Sequence, residues 1–210
     1  MADWAAKHPG GLAAVLGLDE TVVEDICTEV SPEGKVSVAV VNCTGQTVLS
    51  GQDGYLEPAM ELARERGAKV RRLPISVPSH TPLMRDAADE LARFIDKLPF
   101  RDPHPPLVSN ISSKILTTAE DVKGELADQI RAAIQWARCV LAMADAGADP
   151  FIEVGPGKAL TNLMKRIKRD AVAFNAETAS DAQLLELTLI ATDDTGPVQP
   201  NLAQNQTSRA

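Results

Sequence analysis

Between residues 11 and 76 short apolar runs alternate with amphipathic stretches in the order β-α-β-β-α-β, and few folds accommodate that order. Gly11–Leu18 (GLAAVLGL) is an apolar run with a glycine near each end and reads as a buried strand. Asp19 then opens a helix, because a short acidic side chain can accept the free amides of a first turn, and Val22, Val23, Ile26 and Val30 recur at helical spacing. Ser31-Pro32-Glu33-Gly34 is a turn by chemistry, with proline fixing φ and glycine tolerating positive φ. Val36–Cys43 and Gln46–Ser50 form two arms of a hairpin about Thr44-Gly45, and Tyr55–Arg66 is a helix that Gly67 stops. A strand over Ala68–Ser76 completes the set. The expected result is the ferredoxin-like arrangement, one sheet with two helices on one face.

From residue 80 the rhythm changes to helices separated by single short strands. Leu83–Leu98 is amphipathic, with Leu83, Ala87, Leu91, Phe94, Ile95 and Leu98 on one stripe. Strands are expected at Leu107–Ile111, Phe151–Val154 and Ala171–Asn175, and helices at Ala119–Ile134, Trp136–Ala146, Lys158–Lys168 and Asp181–Ala191. Strands that alternate with helices suggest part of a parallel α/β layer. The C-terminal DDTGPVQPNLAQNQTSRA has almost nothing to bury and reads as a disordered tail. The domains are therefore drawn at 8–76, 77–192 and, for the tail, 193–210.

Composition narrows the function. The chain has 210 residues, enough for a real core, and its net charge of −8 gives no basic field to draw nucleic acid or anionic lipid. Two Trp, one Tyr and four Phe supply no stacking platform for bases. No apolar run reaches the length that a bilayer needs, and MADWAAKHPGG lacks the cationic-then-apolar pattern of a signal, so a cytoplasmic protein is expected, with neither nucleic acid nor membrane as partner. Cys27, Cys43 and Cys139 are scattered without C-x-x-C spacing, which fits buried thiols better than a disulfide framework or zinc site, so no metal is expected.

Of the three histidines, only His80 is well placed for chemistry. It follows Val77-Pro78-Ser79, where a strand ends and a helix begins, and a histidine there can be held by the backbone yet face a cleft as a general base. From spacing alone a surface histidine beside a helix start is the weightier reading. Ser79 suits the cap of the following helix better than the role of nucleophile. No G-x-S-x-G occurs anywhere in the chain. Gly155-Pro156-Gly157-Lys158 lacks the spacing of a phosphate loop and reads as a tight strand-to-helix connection. Lys165, Arg166, Lys168 and Arg169 form a basic helix end that complements the helix dipole.

Taken together, RRLPISVPSHTPLM, the amphipathic helix after it, Pro-Leu-Val-Ser-Asn, the Gln135-Trp136 pair and Phe-Ile-Glu-Val-Gly-Pro-Gly-Lys-Ala-Leu closely resemble the malonyl-CoA:acyl carrier protein transacylases and the related acyltransferase domains of polyketide synthases. Val-Asn-Cys-Thr-Gly-Gln-Thr-Val-Leu-Ser-Gly is similar to the hairpin of their small subdomain, and the matches run from about residue 8 to 176. The resemblance implies an α/β fold, with a ferredoxin-like small subdomain and the C-terminal part of an α/β-hydrolase-like large one. It implies ping-pong transfer of malonyl from coenzyme A through a serine to the phosphopantetheine thiol of acyl carrier protein, with malonyl-CoA as substrate and no cofactor. His80 then matches the catalytic histidine, Gln129 the residue whose backbone carbonyl receives the imidazole N–H, and Asn42, Val77 and Ser79 positions that line the acyl pocket. Lys165 and Arg166 become candidates for docking the carrier.

The departure from the family pattern is the serine itself. In the family the G-H-S-x-G elbow and the arginine that pairs with the malonyl carboxylate precede the segment with which these residues align. The expectation is an incomplete acyltransferase, with open strand edges and an uncovered apolar face where central strands would pair. Two other readings accompany it: a non-catalytic carrier-binding module, and a subunit completed in trans by a separate chain that supplies the serine elbow.

Overall fold

The computed structural model describes residues 9–185. The expected tail at 193–210, His8 and the far end of the helix drawn at Asp181–Ala191 lie outside them. Strand β1 (Gly10–Leu16), helix α1 (Glu20–Val30), strands β2 (Val36–Cys43) and β3 (Gln46–Gln52), helix α2 (Asp53–Glu65) and strand β4 (Lys69–Arg72) follow one another in the order read from the sequence. They form one antiparallel sheet in the order β2-β3-β1-β4.

One face of this sheet carries the helices. Ala13 and Val15 of β1, Val36 of β2 and Leu49 of β3 meet Val23, Ile26 and Cys27 of α1 and Leu56, Ala59, Met60 and Ala63 of α2 in one buried cluster. The strand residues contribute at every second position and the helix residues at every third or fourth, so two periodicities close on one core. Gly45 makes the β2–β3 turn at φ 68, a conformation that glycine adopts without a Cβ penalty. All three cysteines are buried free thiols.

Several local readings of this half change: β1 ends at Leu16, two residues before the expected Leu18, and β3 runs on from Ser50 to Gln52. Asp19 stands at the start of α1, but its side chain makes no capping bond. Helix α2 begins two residues before Tyr55. Strand β4 stops at Arg72, four residues short of the expected end. One more bond, from the Leu73 amide to the Leu12 carbonyl at 2.8 Å, follows it, and then Pro74 has no N–H to donate.

The second half packs beside β2. A short 3₁₀ turn (Pro82–Met84) leads into α3 (Arg85–Ile95), then come β5 (Leu107–Val108), β6 (Ile115–Leu116), α4 (Ala119–Asp128), α5 (Trp136–Asp145), β7 (Phe151–Val154), α6 (Ala159–Ile167) and β8 (Ala173–Ala176). Strands β7 and β8 pair in parallel. The strand expected at Leu107–Ile111 keeps only its first two residues and pairs antiparallel with Ile115–Leu116, because Ser109 turns the chain. The stripe predicted for α3 is narrower than read: Ala88 and Ile95 are buried, whereas Phe94 is 60% exposed. The helix expected over Ala119–Ile134 ends at Asp128. Ile134 is instead captured by β2, its amide donating to Ala39 O and its carbonyl accepting from Val41 N, each at 2.8 Å. No helix among the described residues is long and apolar enough to cross a membrane.

Candidate active site

His80 sits where the chain leaves the sheet. Pro78 is buried against the end of it, so close that a Cβ on Gly10 would stand 2.5 Å from the Gly51 carbonyl and 3.1 Å from Pro78 Cδ. The Ser79 amide turns back to Val77 O at 2.9 Å, and Thr81 Oγ1 donates to Pro78 O at 2.7 Å. Between these two bonds His80 has φ 62, in the left-handed region that histidine enters more readily than most side chains. Ser79 does not cap the helix: Thr81 precedes the 3₁₀ turn and Met84 precedes α3, because the turn takes up the residues in between.

Two consecutive carbonyls hold the histidine. Its backbone amide donates to Ile130 O at 2.8 Å, and its Nδ1 lies 2.8 Å from Gln129 O. A carbonyl oxygen only accepts, so in the neutral ring Nδ1 carries the proton and Nε2 keeps its lone pair. That is the tautomer a general base at Nε2 requires. The Gln129 carbonyl is available because α4 ends one residue earlier and leaves its last carbonyls without intrahelical partners.

The helix that presents the Gln129 carbonyl is bonded at both ends. Thr118 and Asp121 cap the start of α4 reciprocally, and the Thr118 hydroxyl and amide hold the Asp121 carboxyl below its ordinary range. From the last turn of the helix, Glu125 accepts from Ser109 Oγ at 2.5 Å and from the Asn110 amide at 3.1 Å. Ser109 Oγ in turn accepts from the amides of Ile111 and Ser112 at 3.2 and 2.8 Å. The Asn110 carbonyl takes the Gln135 amide at 2.7 Å, which fixes the chain just beyond Ile134. Asn42 stands half-buried on β2, one residue beyond Val41, so the strand that carries it is joined to the 129–135 segment that holds His80. Val77 and Ser79 are half-buried in the turn before the histidine.

The remaining candidates lie apart from His80. Arg166, at the end of α6, donates to Gln46 Oε1 at 2.7 Å and to Thr44 O at 2.9 Å, so its guanidinium is occupied in joining α6 to the β2–β3 turn. Lys165 beside it is exposed. Gly155 and Gly157 have φ 132 and 87 in the tight connection between β7 and α6, and Asn175 Nδ2 donates to Gly157 O at 2.6 Å. Glu153 fills the start of α6, accepting from the Thr161 hydroxyl at 2.6 Å and from the Thr161 and Leu160 amides at 2.8 and 3.0 Å, and these bonds, the hydroxyl's first, lower its carboxyl pKa. Sequence reasoning missed Glu125, Asp128 and Arg131. The i,i+3 spacing of the last two was a readable signal, whereas the partners of Glu125 lie 15 and 16 residues away.

The Acyl transferase domain family matches residues 4–206. The malonyl CoA-acyl carrier protein transacylase of Bacillus subtilis is 35% identical over 183 residues, covering 86% of this chain and 56% of that protein. The crystal structure of the malonyl-CoA:acyl carrier protein transacylase of Xanthomonas oryzae superposes with a TM-score of 0.82 at 37% identity, over 88% of this chain and 60% of that one. A malonyl-transacylase solved in complex with a type II polyketide acyl-carrier protein gives a TM-score of 0.80 at 34% identity, over 86% of this chain and 59% of that one. The chain belongs to the acyl transferase domain family, among the relatives of malonyl-CoA:acyl carrier protein transacylase, and it spans somewhat more than half the length of those relatives.

Proposed function

We propose that this chain carries the base side of an acyl-transfer site that moves malonyl from coenzyme A to the thiol of an acyl carrier protein. The observation that carries the reading is the 2.8 Å contact between His80 Nδ1 and Gln129 O, which leaves Nε2 free to take a proton. In the first half-reaction a serine hydroxyl gives its proton to Nε2 while its oxygen attacks the thioester carbonyl. The imidazolium returns that proton to the departing coenzyme A thiolate. In the second half-reaction Nε2 takes the carrier thiol proton, sulfur attacks the serine ester, and the proton goes back to the serine oxygen. Gln129 O stabilises the imidazolium in both halves. No G-H-S-x-G is present in the sequence, so in this reading the serine comes from residues outside it, whether in the same polypeptide or a separate chain.

Residues 8–76 act here as a ferredoxin-like small subdomain, and 77–192 as the C-terminal part of an α/β-hydrolase-like large one. Asn42, Val77 and Ser79 line the acyl pocket at the junction of the two. Lys165 is the better candidate for docking a carrier, because Arg166 is committed to Gln46 and Thr44. The setting is cytoplasmic and no cofactor takes part. The reading is tested by following labelled malonyl from coenzyme A to carrier protein, with the chain supplemented by a serine-elbow segment and with His80→Asn beside the parent. Transfer that the variant loses supports it. Transfer that survives the loss of His80 ends it.

A further inference from the structure

The turn that presents two carbonyls to His80 has no helix breaker in its sequence. Gln129-Ile130-Arg131-Ala132-Ala133-Ile134 contains no glycine or proline, and a continued α4 would hand the Gln129 carbonyl to the amide of Ala133, four residues on. The side chain of Arg131 closes the turn instead. Its Nε and Nη2 lie 2.7 and 2.5 Å from Asp128 Oδ1, while the Arg131 and Ala132 amides both donate to Asp128 O at 3.0 and 3.1 Å. Its third nitrogen, Nη1, reaches Asp89 Oδ1 at 3.0 Å. Asp89 belongs to α3, the helix that follows His80 in the chain.

These bonds form a closed circuit: His80, α3, Asp89, Arg131, the carbonyls of Gln129 and Ile130, and back to His80. We infer that Arg131 is a positioning residue for His80, holding the 128–131 turn against α3 so that the Gln129 carbonyl stays aimed at Nδ1. The inference rests on the reading of His80 as the base. The fork suits arginine, since a planar guanidinium can serve two carboxylates in fixed directions where an ammonium cannot. Arg131, Asp89 and Asp128 are 36%, 55% and 46% exposed, so the brace sets geometry and adds little to stability.

The test reads the tautomer and requires no acyl transfer. With ¹⁵N-labelled chain at about pH 8.5, where an ordinary histidine is neutral, long-range ¹H–¹⁵N correlations report which ring nitrogen of His80 carries the proton. In Arg131→Gln the ratio of Nδ1–H to Nε2–H falls about threefold to fivefold, the scale of one exposed ion pair. Asp89→Asn shifts it in the same direction, and Arg131→Lys falls between parent and Arg131→Gln. Ser109→Ala, which loosens the neighbouring loop without touching the brace, leaves the ratio unchanged. An unaltered ratio in Arg131→Gln or in Asp89→Asn overturns the inference, as does an equal shift in Ser109→Ala. Either failure leaves the role of His80 standing, whereas acyl transfer that ignores His80 removes that role and leaves the tautomer result intact.

Discussion

His80 is held in a backbone conformation that most side chains avoid, and this shapes how it should be probed. Alanine enters the left-handed region at φ 62 less readily than histidine and so adds backbone strain to the loss of the imidazole, whereas asparagine tolerates that region. His80→Asn is therefore expected to keep the melting temperature of the parent and to lower acyl transfer in the completed site by about 10²- to 10⁴-fold, the usual worth of a positioned base. Cys27 offers a second residue-scale check. Burial among α1, α2 and the sheet pushes its thiol up to about 12, with Glu24 adding to the rise. Its folded pKa lies above the unfolded one, so its contribution to stability is complete below pH about 9 and is lost as pH rises toward 12. Thiol titration at neutral pH should leave Cys27 unmodified in the native chain and label it only after denaturation.

At the scale of elements, the first half was legible because each strand and helix carries its own period and its own turn residues. Val36–Cys43 appears with the bounds read from the sequence, set by a Pro-Gly turn before it and a Thr-Gly turn after it. Leu49 is fully buried at the centre of that core, and Leu49→Ala should cost about 2–5 kcal/mol in denaturant unfolding. Legibility failed between Leu107 and Ile134. There a serine hydroxyl, a glutamate 16 residues away and the edge of β2 decide the path, and none leaves a periodic trace. For the site the same division holds. The turn around His80 could be read from its prolines, and the resemblance pointed to Gln129, but the reason α4 stops before Gln129 lies in tertiary bonds. Ser109→Ala removes the acceptor for the Ile111 and Ser112 amides and a donor to Glu125, and a loss of about 1–3 kcal/mol is expected in the same assay. The Glu153 carboxylate at the start of α6 has a lowered pKa, so its support is present above the ordinary carboxylate range and disappears as acid protonates it. A Glu153→Gln chain should accordingly lose less stability than the parent on acidification.

At the scale of the whole molecule the two halves meet at β2 through Ile134, at the β2–β3 turn through Arg166, and at the start of α1 through a pair between Arg138 and Glu20 at 3.3 Å. On β7 the apolar side chains of Val154 and Ile152 are 83% and 42% exposed. The chain covers just over half of its relatives' length, and in the proposed reading further elements of the large subdomain pack on this face. Val154→Asp is expected to raise solubility and to change stability by no more than about 0.5 kcal/mol, as for an exposed position; a drop of several degrees in melting temperature would show the residue to be covered. The most direct measurement is transfer of labelled malonyl from coenzyme A to acyl carrier protein, by the chain alone and with a serine-elbow segment added. The account predicts no transfer by the chain alone, and transfer with the segment that His80→Asn abolishes. Enzyme-like transfer by the chain alone, or transfer indifferent to His80, would contradict it.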